Sequence, residues 1–91
     1  MSIDNQLLMQ ILEGALLASA KPLTVAQLGD LFDEEERPQN DVIVAALEDI
    51  EQSNAGRGFE LKQVSSGYRF QVVQNVSPWV GRLWDEKPQK Y

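Results

Sequence analysis

Apolar residues recur at helical spacing in three blocks and then, past Gly58, switch to strict alternation. In the first block Leu7, Leu8, Ile11, Leu12, Ala15 and Leu16 make a stripe on one face of a helix. Asp4 is its N-cap, and it runs to about Ser19. The stripe is wide for a helix with one solvated side. Burial in the core accounts for it most simply; the alternative is that part of it, around Leu8 and Leu12, meets another chain. Lys21-Pro22 breaks the chain, and Pro22-Leu23 is extended, suited to a brief strand. Thr24-Val-Ala-Gln27 then has the form of a capping box, opening a shorter helix with Val25, Leu28, Leu31 and Phe32 on one face.

Arg37-Pro38 turns the chain into a third helix, about Gln39 to Ser53. Ile43, Ala46, Leu47 and Ile50 fall at i, i+3, i+4 and i+7 and make its buried stripe. Val42 and Val44 lie roughly 100° to either side of that stripe. They are either core margin or a partly apolar face that touches a partner. Asn54-Ala-Gly-Arg-Gly58 ends the helix, with Gly56 and Gly58 free to take positive φ. Phe59 to Val64 and Tyr68 to Val73 then alternate with period two, joined by Ser65-Ser66-Gly67. Phe59 and Leu61 share a face with Tyr68, Phe70 and Val72.

Ser77-Pro78 signals a last helical turn or two, with Ser77 as cap and Pro78 at the first helical position. Trp79 pairs with Leu83, and Val80 with Trp84, at i, i+4. Folding back to close the core is the commoner role for such a segment. A docking surface is the alternative, because Trp is enriched at interface hot spots. Residues 85–91 are polar and resemble a linker. The expected fold is therefore α+β: three helices, a two-stranded antiparallel wing and a short C-terminal helix, over residues 1–84. That is the order of a winged helix, in which the helix before the hairpin usually enters the DNA major groove.

Charge changes this picture. The third helix carries Asp41, Glu48, Asp49 and Glu51 and no Lys or Arg, and the wing tip is neutral. Binding to duplex DNA draws on phosphate neutralisation and counterion release, so an acid-only helix argues against direct DNA binding. The net charge of −6 over 91 residues points the same way. Only Arg57, Lys62 and Arg69 in the hairpin, with Arg82, Lys87 and Lys90 in the tail, offer material for a basic face. A DNA-binding regulator fragment is thus the second reading, behind a winged helix turned to protein contact.

Composition excludes other classes. The chain is 43% hydrophobic, as a globular domain is, and has no apolar run long enough to span a bilayer. Its N-terminus lacks the basic start of a signal peptide, so a cytoplasmic location is expected. There is no His and no Cys, which removes imidazole bases, thiol nucleophiles and the usual soft metal ligands. Gly56-Arg-Gly58 precedes a strand, whereas a phosphate loop must open a helix. Asp33-Glu-Glu-Glu36 lacks the glycine and ligand spacing of a calcium loop and reads as a solvated helix end. No enzyme, metal or cofactor is expected.

Four motifs carry a resemblance. Leu16-Leu-Ala-Ser-Ala-Lys-Pro-Leu-Thr24, Ala55-Gly-Arg-Gly-Phe-Glu-Leu61, Ser66-Gly-Tyr-Arg-Phe70 and Ser77-Pro-Trp-Val-Gly-Arg-Leu-Trp84 are similar, in order and spacing, to the N-terminal domain of bacterial segregation and condensation protein B. Glu86-Lys-Pro-Gln-Lys-Tyr91 resembles the linker before that family's second domain. The resemblance implies a non-catalytic accessory subunit in chromosome condensation and segregation, nucleoid-associated through its complex. It implies a homodimer that binds the kleisin subunit, segregation and condensation protein A, and through it the SMC ATPase. The family's second domain takes a large part in that binding, and residues 85–91 are expected to be the linker towards that domain, which is expected to be missing here. Leu8, Leu12, Val42, Val44, Trp79, Val80, Leu83 and Trp84 are the expected partner contacts, because together they exceed the apolar surface a small domain needs.

Overall fold

The computed structural model describes residues 3–84. Helix α1 spans Asn5–Ala18, and the Asp4 carboxylate accepts the Leu7 N–H at 2.8 Å, occupying one of the first-turn donors that lack a helical partner. After the helix the Ser19 hydroxyl donates to the Lys21 carbonyl at 2.6 Å, which tightens the turn into Pro22. Leu23 then bridges to Tyr68 through two backbone hydrogen bonds, 2.9 and 2.7 Å, so the brief strand shrinks to one residue laid beside the wing.

The capping box at Thr24 forms on both sides: the Gln27 N–H donates to Thr24 Oγ1 at 3.1 Å, and the Thr24 N–H to Gln27 Oε1 at 2.9 Å. The helix it opens, α2, is only Val25–Gly29. Beyond Gly29 the backbone tightens to i→i+3 bonds, Leu31 to Leu28 and Phe32 to Gly29. This overturns the expected common face: Phe32 enters the core, whereas Leu31 is exposed.

Helix α3, Asn40–Ser53, buries Ile43, Ala46, Leu47 and Ile50, the four residues of its predicted stripe. Against them pack Leu8, Leu12 and Leu16 of α1, Leu28, Phe32, and Leu61 of the first wing strand. Leu12, Leu28, Ile43, Leu47 and Ile50 are the largest fully buried side chains.

Strands β1, Phe59–Val64, and β2, Gly67–Val72, pair antiparallel with Phe59 opposite Val72, Leu61 opposite Phe70, and Gln63 opposite Tyr68. The shared apolar face is the expected one, and Phe59 meets Phe70 edge to face at 5.6 Å. The loop is two residues, Ser65-Ser66, because Val64 and Gly67 already pair. Gly67 sits at φ 133°, and a Cβ there would lie 2.4 Å from the Leu23 carbonyl. It is the point where the Leu23 backbone crosses the hairpin. At the end of α3 only Gly56 takes positive φ; Gly58 does not.

The C-terminal segment departs most from expectation. After the Val73 N–H bonds the Gly58 carbonyl at 3.0 Å, the chain leaves the wing through a turn at Gln74–Val76, then α4, Ser77–Val80, and a 3-10 turn, Gly81–Trp84. Ser77 does not cap α4; its hydroxyl donates back to the Gln74 carbonyl at 2.7 Å. Nor does the segment close the core. Trp79, Leu83 and Trp84 are 63%, 76% and 70% exposed. The Cα radius of gyration, 16.3 Å, exceeds the about 12 Å of a compact chain of this length. The linker expected over residues 85–91 lies outside the described residues.

Candidate protein-contact surfaces

Helix α3 takes the place of a recognition helix, and its solvent side consists of Asp41, Ala45, Glu48, Asp49, Glu51 and Gln52, all exposed. The same spacing that sends four apolar residues inward sends these carboxylates outward, so the electronegative face follows from the core stripe. On the wing's outer face Lys62 stands opposite Arg69, but the neighbouring cross-strand pair is Glu60 and Gln71. Gln71 ties the two pairs together: its amide donates to Glu60 Oε2 at 3.4 Å, and Arg69 Nε and Nη2 each donate to its Oε1 at 3.3 Å. Two cations beside a carboxylate make a weak basic face. Arg37 is engaged elsewhere, donating to Asp30 at 2.8 Å with its guanidinium over Gly29.

Two grooves border α3. One, of about 300 Å³, is floored by Leu47, Leu61 and Tyr68 and edged by Glu48, Glu51 and Lys62. The other, of about 260 Å³, lies between Ile3, Leu8, Pro38 and Val42 and is edged by Glu35 and Arg37. Among the described residues no group of three carboxylates is placed to hold a metal ion, and no helix is long and apolar enough to cross a membrane.

The eight expected contact residues separate into two sets. Leu8 and Leu12, at 3% and 0% exposure, belong to the interior of the α1–α3 packing, and of the two only Leu8 lines the smaller groove. Val42 is 45% exposed and lines the smaller groove, and Val44 is half-buried at the core margin. Val80 is half-buried, while Trp79, Leu83 and Trp84 are free of the body. The 3-10 turn rotates the chain by more per residue than an α-helix, so the expected i, i+4 register does not run through to Trp84. Two exposed leucines of α1, Leu7 and Leu17, escaped the sequence reading because the first was assigned to the core stripe and the second to no stripe. The 100° step separates Leu7 from the centre of that stripe and supplies the signal.

Fold and surface together define a winged-helix domain with carboxylates where a DNA reader carries cations. Residues 10–91 match the family described as segregation and condensation complex subunit ScpB, and the chain belongs to that family. A segregation and condensation protein B homolog of Coxiella burnetii is 43% identical over 81 residues, covering 89% of this chain and 39% of the relative. The chain thus spans about two fifths of that curated relative. The crystal structure of ScpB from Mycobacterium tuberculosis superposes with a TM-score of 0.81 at 25% identity, over 98% of this chain and 55% of that one. A dimer of the ScpB N-terminal domain complexed with an ScpA peptide matches with a TM-score of 0.70 at 19% identity, over 82% of this chain and 91% of that one.

Proposed function

We propose that this chain is a non-catalytic accessory subunit of a bacterial SMC–kleisin complex, acting in chromosome condensation and segregation through protein contacts. It works in the cytoplasm at the nucleoid, pairs with its own copy, and binds the kleisin, segregation and condensation protein A, which links it to the SMC ATPase. The observation that carries this reading is the family match across residues 10–91 on a domain whose third helix presents four carboxylates and no cation. The match supplies the complex. The acidic face supports attachment to protein instead of phosphate. Family resemblance alone does not give kleisin affinity to a chain two fifths the length of its relative, so that affinity is part of the proposal.

The test is titration of this chain with the purified kleisin, followed by calorimetry and by sedimentation. A saturable complex supports the reading. No heat and no co-sedimentation at about 100 μM, a concentration at which even a binding energy of about −5.5 kcal/mol is detected, refutes kleisin binding by this chain.

A further inference from the structure

Helix α1 has two apolar faces. Leu8, Leu12 and Leu16 point into the core. On the other side Leu7, Gly14 and Ala18 fall within about 40° of one another at 100° per residue, and Ile11 at their edge packs against the core. Leu17, 71% exposed, flanks them, and Leu7 is 45% exposed. Nothing lies within 4 Å of where a Cβ on Gly14 would stand, so the backbone is open at the middle of this face. From Leu7 to Leu17 the face runs about 15 Å.

We infer that the projecting segment Trp79–Trp84 of one copy seats on this outer face of α1 in a second copy, and that the exchange is reciprocal. The inference rests on the homodimer proposed above and names its surfaces. Area decides between the possible arrangements. With aromatic side chains offering about 150–250 Å² each, the exposed parts of Trp79, Leu83 and Trp84 amount to roughly 400 Å² per arm. Two arms packed on each other would cover roughly 800 Å², the scale of an adventitious contact. Two arms each covering an equal area on the partner's α1 reach roughly 1,600 Å², the size of a specific interface. The body supplies a matching surface: Leu7 and Leu17 beside the open Gly14 give a flat indole an apolar seat, with the flexible Gln10 side chain between them. Gln10 lies between Leu17 and Gly14 on this face, and Glu13 borders it beside Leu17. The described residues offer no interior site for the arm on its own body, where the core is already closed.

The chain has no cysteine, so single introduced thiols report the geometry directly. Leu17→Cys and Arg82→Cys proteins are prepared separately, mixed and oxidised, with each also oxidised alone. The expected product is the mixed Leu17–Arg82 disulfide. A disulfide of Arg82→Cys with itself, without the mixed product, means arm-on-arm packing and overturns the inference. In parallel, Trp79→Ala and Trp84→Ala should each raise the dimer dissociation constant roughly thirtyfold, while the melting temperature of dilute monomer stays unchanged. An unchanged dissociation constant in both variants overturns the arm exchange and leaves the dimer standing. Wild-type protein that sediments only as monomer at about millimolar concentration removes the dimer itself, and the exchange with it.

Discussion

At the scale of single residues, the wing depends on Gly67 for two separate reasons: its φ of 133° and the backbone 2.4 Å from where a Cβ would be. Gly67→Ala must therefore move the Leu23–Tyr68 bridge as well as strain the turn. A loss of about 2 kcal/mol or more is expected in urea unfolding, above the ordinary cost of a single unfavourable backbone conformation. Gly14 is the control. It sits inside a regular helix with open space above it, so Gly14→Ala should raise monomer stability by about 0.5–1 kcal/mol. Equal effects of the two substitutions in the same assay would show that the close approach at Leu23 carries no weight.

At the scale of elements, the two sides of α1 differ in what they hold. Leu12 has no exposure and contacts the centre of the core, so Leu12→Ala should cost about 2–5 kcal/mol through lost transfer energy and the cavity left behind. Leu17→Ala removes a side chain already in water and should change monomer stability by no more than about 0.5 kcal/mol. Comparable losses from both would contradict the buried and exposed assignments. The same division holds for α3, whose inner residues were legible from their spacing and whose outer residues set what it can bind. We expect no appreciable affinity of this domain for duplex DNA at physiological salt, measured by fluorescence anisotropy. A salt-sensitive micromolar complex would restore the regulator reading and require the Lys62–Arg69 pair to dominate the neighbouring acids.

At the scale of the whole molecule, net charge and apolar surface oppose each other. Each chain carries −6, so pairing brings like charges together, while the arm and the outer face of α1 draw copies together through apolar area. The dimer should accordingly tighten modestly between about 0.05 and about 0.5 M salt as repulsion is screened, a change readable by sedimentation equilibrium. Strong weakening over that range would point to ion pairs at the centre of the contact and away from the tryptophans. The extents of 58 × 24 × 23 Å place the apolar segment on an elongated shape, which favours exchange between copies over further compaction of one.

Local rules in the sequence were enough to determine the first two caps, helices α1 and α3 and the wing. Asp4 and the Thr24–Gln27 box start helices because a side-chain oxygen within three residues satisfies an unpaired N–H. The Ile43–Ile50 stripe and the alternation after Phe59 follow from periods of 3.6 and 2. These interactions are short in range, and their signals lie within a few positions of each other. Tertiary structure decided which part of the wide α1 stripe is core. Leu7 and Leu8 are adjacent and chemically identical, yet one is exposed and the other buried, because only the position of α3 selects the inner side of α1. It also decided that the tryptophans stay outside. The first three helices, Phe32 and Leu61 close the core without them, and how much interior remains to be filled is a property of the packed chain that no local pattern encodes.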